Sequence, residues 1–292
     1  DVIAKRRIGT AKFFTLLLLL YRTSVNASGI KLMIIILSPA KKMISNDDCI
    51  EAEGLPEFLD QTAEILNWMK HKSKEELKDI WKCNDQIADE NFHRLECMDL
   101  HHRLTPAVIA YDGIAYQYMA PSVFEYRQLE YIQHHLRILS AFYGVLKPMD
   151  GVTPYRLEMQ ARVGIGGTKN LYDYWGDTLY RSVIDDSRTI INLASKEYSK
   201  SIEKYLTQQD RYITITFCER SGDKMVTKGT YAKMARGEMV RFMAENGIEN
   251  PEDIKKFDRL GYIFRADLSS DTDYVFERTP ADITQVIDTT NL

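Results

Sequence analysis

Four consecutive apolar residues, Ile34, Ile35, Ile36 and Leu37, run into Ser38 and Pro39, which predicts a short buried strand whose end delivers Lys41 and Lys42. Helical spacing follows in Phe58, Thr62, Ile65, Leu66 and Met69 after Pro56, and again through Ile87, Phe92 and Leu95. Between them Ser73 and Glu76 form a capping box that starts a helix reaching Trp81. Residues 107–111 are a short apolar run closed by Asp112 and Gly113, which predicts a strand and a turn, and 122–135 predicts a helix. Residues 137–140 and 189–193 read as strands, with helices expected over 171–184 and 195–206. Residues 212–217 alternate with the period of two of a half-buried strand, 230–246 form a basic helix, and 262–266 and 274–277 are the last strand candidates.

Strands and helices alternate, without an internal repeat or low-complexity linker, so the expected fold is α/β (mixed α+β): one domain with sheet flanked by helices. The organisation expected is an N-terminal extension over residues 1–32, the folded domain over 33–278 and a peripheral tail over 279–292. The extension carries Lys5, Arg6, Arg7 and Lys12 ahead of the apolar run 13–21, which is signal-like but short of the ~20 apolar residues of a spanning helix. The alternative reading makes Met33 the natural start and the preceding residues upstream sequence, and this is the one adopted.

Composition narrows the function classes. With 292 residues, 45% of them hydrophobic, the chain can bury a full core. A net charge of −4 means that any nucleic-acid contact must come from local clustering of Lys and Arg. The cysteines Cys49, Cys83, Cys97 and Cys218 form no Cys-x-x-Cys pair, which suits reduced thiols in the cytoplasm. His101 and His102, four and five residues after Cys97, complete no ligand set, so no metal and no cofactor is expected.

Three constellations carry chemistry. The segment from Arg137 through Tyr143, Lys147, Tyr155 and Arg156 to Glu158 breaks an apolar run into Gly, Pro and charges, and the charges must be paired or face a cleft. Lys228, Lys233, Arg236 and Arg241 lie in or next to the basic helix, and Gly237 inside it signals close approach of a backbone or a ligand. Residues 163–169 form a Gly-rich turn that can aim amides at a phosphate, in the general shape of a helix-hairpin-helix, though without the ending of a nucleotide P-loop. Lys41, Lys42, Asp112, Tyr116, Arg137, Tyr143, Arg156, Glu158, Ser195 and Glu197 each stand near a predicted strand end or turn, where their convergence would make an anion-binding cleft with an acid–base group. Ordinary surface ion pairs are the alternative reading of the same charges.

Several blocks in register resemble the YaaA family of bacterial peroxide-stress proteins. They are Ser38-Pro39-Ala40-Lys41, Tyr111-Asp112-Gly113 with Tyr116, Arg137 to Met159, Asn170-Leu171-Tyr172 with Trp175-Gly176, Asn192-Leu193-Ala194-Ser195 with Glu197-Tyr198, Lys233-Met234-Ala235-Arg236-Gly237, and Gly261-Tyr262. The resemblance implies a cytoplasmic single-domain α/β protein with a positively charged cleft and a helix-hairpin-helix-like element, DNA binding, and protection under peroxide associated with lowered free iron. On that basis Lys41, Lys42, Arg137, Arg156, Lys228, Lys233, Arg236 and Arg241 are the candidate phosphate contacts, with Tyr143, Tyr155 and Trp175 available to stack on unpaired bases. The rival function is an enzyme acting on a nucleotide, a nucleobase or damaged DNA, with Glu158 or Asp112 as acid–base group and Ser195 or Tyr116 as a positioning hydroxyl.

Overall fold

Five parallel strands run side by side through the middle of the molecule, and the order in which the chain visits them locates the site. A computed structural model describes residues 33–46, 50–222 and 224–278. The chain divides into two units, Asp1–Leu32 and Met33–Leu292, and every described residue belongs to the second. The expectations for residues 1–32, the tail 279–292 and Cys49 therefore lie outside the described residues, apart from the strand candidate at 274–277.

Strand β1 (Ile34–Leu37) pairs in parallel with β3 (Leu136–Ser140) on one side and β6 (Thr189–Asn192) on the other. The parallel set continues through β7 (Arg211–Ser221) to β10 (Asp273–Arg278). Antiparallel pieces finish the sheet: β4 (Gly144–Leu146) on β3, β8 (Lys224–Val226) on β7, and β9 (Tyr262–Phe264) on β10. A separate short pair joins β2 (Thr105–Pro106) to β5 (Gly151–Val152). The fold is thus mixed α/β. Along the five parallel strands the chain goes first to one side of β1 and then to the other, a 2-1-3-4-5 order whose reversal lies between β1 and β6. In open sheets of this kind the crevice beyond the strand ends at the reversal is the ligand-binding position.

The apolar patterns account for most elements. Every residue of β1 is buried, as a strand flanked on both sides and covered on both faces requires. Helix α1 (Leu59–Lys70) buries Thr62, Ile65 and Met69, and α2 (Lys74–Trp81) starts on the expected capping box, Ser73 accepting from the Glu76 amide while Glu76 accepts from the Ser73 amide. Helix α3 (Asp85–Glu96) is capped by Asn84.

Three expectations need correction. Residues 107–111 are not a strand: β2 ends at Pro106 and the chain turns into the helical α4 (Ala107–Ala110), because the Ala107 and Val108 amides donate to the carbonyls of Asp150 and Pro148 instead of to a strand neighbour. The helix expected over 122–135 begins later, as α6 (Tyr126–His135), after a 3-10 turn at Pro121–Val123, since Glu125 and Gln128 provide its capping box. The helix expected over 171–184 is two, α7 (Leu171–Trp175) and α8 (Thr178–Val183), split where Gly176 takes a φ of 53°. Between α4 and α6 lies α5 (Ile114–Met119), which packs on the long α10 (Gly229–Asn246); α9 (Lys196–Glu203) follows β6. Among the described residues no helix is long and apolar enough to cross a membrane.

Candidate anion-binding cleft

At the reversal between β1 and β6 the chain leaves each strand through a serine. Ser38 Oγ accepts the Ser195 amide at 2.8 Å and donates to Ser195 Oγ at 3.1 Å, which ties the two strand ends together and sets Ser195 at the start of α9. Over this floor opens a cavity of about 380 Å³.

One wall comes from the segment after β1. The Asp112 amide donates to Lys42 O at 2.9 Å, and Met43 bridges Tyr111, so residues 38–43 and 111–113 lie alongside each other. Gly113 is required here: a Cβ would stand 2.6 Å from that of Ala40. Tyr116, on α5, donates its hydroxyl to Ser38 O at 2.9 Å and is buried, which raises its pKa well above the ordinary value.

The second wall is the extended run Tyr155–Met159, in which Tyr155, Leu157 and Met159 are buried while Arg156 and Glu158 turn to the cleft. The burial of Tyr155 is anchored by Ser140 Oγ at 2.7 Å and Tyr111 OH at 3.0 Å, and the Tyr143 hydroxyl, which accepts the Thr153 amide at 3.0 Å and donates to Thr153 O at 3.2 Å, holds the segment's start. Burial pushes the Tyr155 phenol up to about 12.

The roof is α10. A Cβ on Gly237 would stand 1.8 Å from Ala115 O, so this glycine lets α10 press against the backbone of α5. The close backbone approach that its position predicts is therefore what it serves. The same contact brings Lys233 and Arg236 over the cavity.

The cleft thus gathers Lys41, Lys42, Arg156, Lys233 and Arg236, together with Asp112, Glu158 and Glu197: five cations against three carboxylates, an excess of two positive charges. At the rim the charges are paired, Lys41 with Glu158 at 2.8 Å and Lys42 with Asp112 at 2.5 Å. Hydrogen bonds from Lys42 and Gln117 hold the Asp112 carboxyl below its ordinary pKa. The half-buried Arg156 and Arg236 and the exposed Lys233 have no ion pair or hydrogen bond among the described residues, and the Nε atoms of both arginines are buried without a partner. Burial alone lowers the Arg236 pKa, with no carboxylate opposing it. Glu197 is shifted the other way, upward, by burial and by the charge of Glu158, although its carboxylate accepts the Gln160 amide. The arrangement can grip an anion.

Other candidates lie elsewhere. Arg137, half-buried in β3, donates to the carbonyls of Leu136 at 2.8 Å and Gln133 at 3.2 Å. Lys228 is paired with Glu219 at 2.8 Å, and Arg241 with Glu245 at 2.7 Å. None of the three lines the cleft. Tyr143 and Trp175 are 1% and 2% exposed and cannot stack on a base, because Phe58, Phe142, Tyr155 and Tyr174 already occupy their ring contacts. The Gly-rich turn, with positive φ at Gly166 and Gly167, is entered by chain without helix and does not line the cleft either. Sequence reasoning missed Ser38 as a member of the site; the available signal was a small hydroxyl residue directly after the first buried strand. Among the described residues no group of three or more His, Cys, Asp or Glu could hold a metal ion.

Comparison with known proteins agrees over the same span. The family described as "Peroxide stress protein YaaA" matches residues 33–268. A UPF0246 protein of Agathobacter rectalis is 77% identical over 246 residues, 84% of this chain and 99% of its own length. UPF0246 proteins of Lachnoclostridium phytofermentans and Pediococcus pentosaceus are 55% and 50% identical over 244 residues, again 84% of this chain and 96% and 97% of their own lengths.

Proposed function

The chain belongs to the peroxide stress protein YaaA family, and from that premise we propose that it acts under peroxide stress, in the cytoplasm, by holding phosphates of DNA in the cationic cleft. The observation that carries this reading is the trio Arg156, Lys233 and Arg236, half-buried or reaching over one cavity with no protein partner among the described residues. A buried guanidinium without an anion is costly, and a phosphate supplies both the missing charge and the acceptors for its fork of N–H donors. Lys41 and Lys42, exposed at the rim, extend the positive surface along which a strand would run. The association with lowered free iron belongs to the same proposal, as a consequence of what is bound and not of a metal held by the cleft.

Fluorescence anisotropy of a labelled duplex and of a labelled single strand, titrated across salt concentration, tests the reading. Affinity is expected to fall steeply with salt, with a slope of about −0.9 per neutralised phosphate on duplex and about −0.7 on single strand. The double variant Lys233→Ala/Arg236→Ala should weaken binding about equally for all sequences, because phosphate contacts carry no base information. A salt-independent affinity, or a folded double variant that binds as the parent does, would overturn it.

A further inference from the structure

Size and charge together say more about the ligand than that it carries phosphate. We propose that the floor of the cleft is a subsite for one nucleotide bearing a terminal phosphomonoester, either free or at the end of a strand; the inference rests on the phosphate-binding reading of this cleft. A cavity of about 380 Å³ lies at the small-ligand end of binding pockets, where one nucleotide fits and a duplex does not. A continuous backbone would reach the rim lysines, which are 65% and 73% exposed, whereas the half-buried Arg156 and Arg236 line the cavity itself with no protein partner among the described residues.

The charge count points the same way. With Lys41 and Lys42 already matched by Glu158 and Asp112, the unpaired Arg156, Lys233 and Arg236 stand against the single carboxylate of Glu197, so the lining still has two positive charges in excess. A phosphomonoester carries about −1.5 to −2 at pH 7, whereas a backbone diester carries a single charge. It also presents three terminal oxygens, enough for two guanidinium forks and an ammonium at once, where a diester presents two. The remaining wall is apolar, from Pro39, Ile114, Leu157 and Leu193, and offers a surface to the sugar and base. Ser195, whose amide is occupied by Ser38 Oγ, has its hydroxyl hydrogen free to donate into the same space.

Isothermal titration calorimetry of the full chain with adenosine 5′-monophosphate and with adenosine separates the phosphate from the nucleoside, and anisotropy of one single-stranded oligonucleotide with and without a 5′-phosphate separates strand ends from free nucleotides. The monophosphate is expected to bind one to one and at least about tenfold more tightly than adenosine. A similar gain for the 5′-phosphorylated strand assigns the subsite to strand ends; the gain for the monophosphate alone assigns it to free nucleotides. Arg156→Lys and Arg236→Lys keep the charge and lose the fork, so each should cost about tenfold for the phosphorylated probe, with circular dichroism unchanged, while Arg241→Ala, outside the cleft, costs nothing. No advantage from either phosphate overturns the subsite and leaves salt-dependent DNA binding standing. Loss of DNA binding with the monophosphate still bound overturns the DNA reading and leaves the subsite.

Discussion

The buried Arg278 and the half-buried Arg156 and Arg236 of the cleft have opposite surroundings. Where β7 and β10 run side by side, Arg278 is paired with Glu219 across the register, Glu219 is also met by Lys228 at 2.8 Å, and the Arg278 guanidinium lies 3.8 Å from the ring of Tyr231. Next to them Glu277 takes both Arg220 and Arg265. Burial alone would raise the Glu219 carboxyl, yet Lys228 and Arg278 hold it below the ordinary value. At the cleft, Arg156 and Arg236 have no such partner. The first group is ion-paired within the protein, although the Arg278 Nε itself has no hydrogen-bond partner; the second has no acid to meet it, which is what the proposed anion would supply. Burial of a cation therefore does not mark a site; burial without a matching acid, over a cavity, does.

The largest expected effect breaks this comparison by sign. Arg278→Ala leaves the Glu219 carboxylate buried with one of its two partners gone, and should lower stability in urea unfolding by about 3–5 kcal/mol. Arg236→Met keeps the apolar stem and removes an unpaired desolvated charge, so it should raise stability by about 1 kcal/mol. Comparable losses in both variants would show that Arg236 has a structural partner after all, and the contrast would be void.

How much of this was readable beforehand depends on how local the cause is. The burial of β1, the capping box of α2 and the close approach at Gly237 are written in neighbouring residues, and the structure has all three. The pairing of Arg241 with Glu245 was equally local, one helical turn apart, yet the basic helix reads as a uniform face until its acids are placed. Lys228 meets Glu219 only because β7 carries that acid close to the start of α10, and Arg137 is lost to the cleft because its guanidinium donates to the carbonyls of Gln133 and Leu136. Ala107 to Ala110 was ambiguous for another reason: a short apolar run suits a strand or a helical turn, and the loop carbonyls that choose between them come from forty residues downstream, at Pro148 and Asp150. Lys41, Arg156, Ser195 and Lys233 were each legible as strand-end or helix-face residues, but their meeting follows from β1 lying between β3 and β6, which no periodicity encodes.

A buried acid away from the cleft sharpens the same comparison. Asp150 is 8% exposed, makes no ion pair among the described residues, and accepts the Lys147 amide at 2.8 Å, closing the turn between β4 and β5. Burial pushes its carboxyl up to about 6 from the ordinary 3.8. Between those pH values the unfolded chain releases a proton that the folded chain retains, so stability contributed by this group falls as pH rises through the window, by about 1–3 kcal/mol in all. Asp150→Asn retains an acceptor for the Lys147 amide and should flatten the difference between the two stability profiles measured from pH 4 to 7. An unchanged profile would mean that the carboxyl titrates normally.

The smallest effect separates rim from interior. Lys41 is mostly exposed and its pair with Glu158 is screened by solvent, so Lys41→Ala should change unfolding stability by no more than about 0.5 kcal/mol. Its consequence for binding follows from what the lysine leaves behind. Glu158 would then stand uncompensated beside Glu197, and the excess of positive charge in the lining would drop from two to one. A phosphorylated ligand should bind more weakly and with a salt slope reduced by about 0.9 on duplex, if the rim lysine meets one phosphate. Should the slope stay fixed while affinity falls, Lys41 acts by neutralising Glu158 and not by touching the ligand, and the whole phosphate grip belongs to Arg156, Lys233 and Arg236.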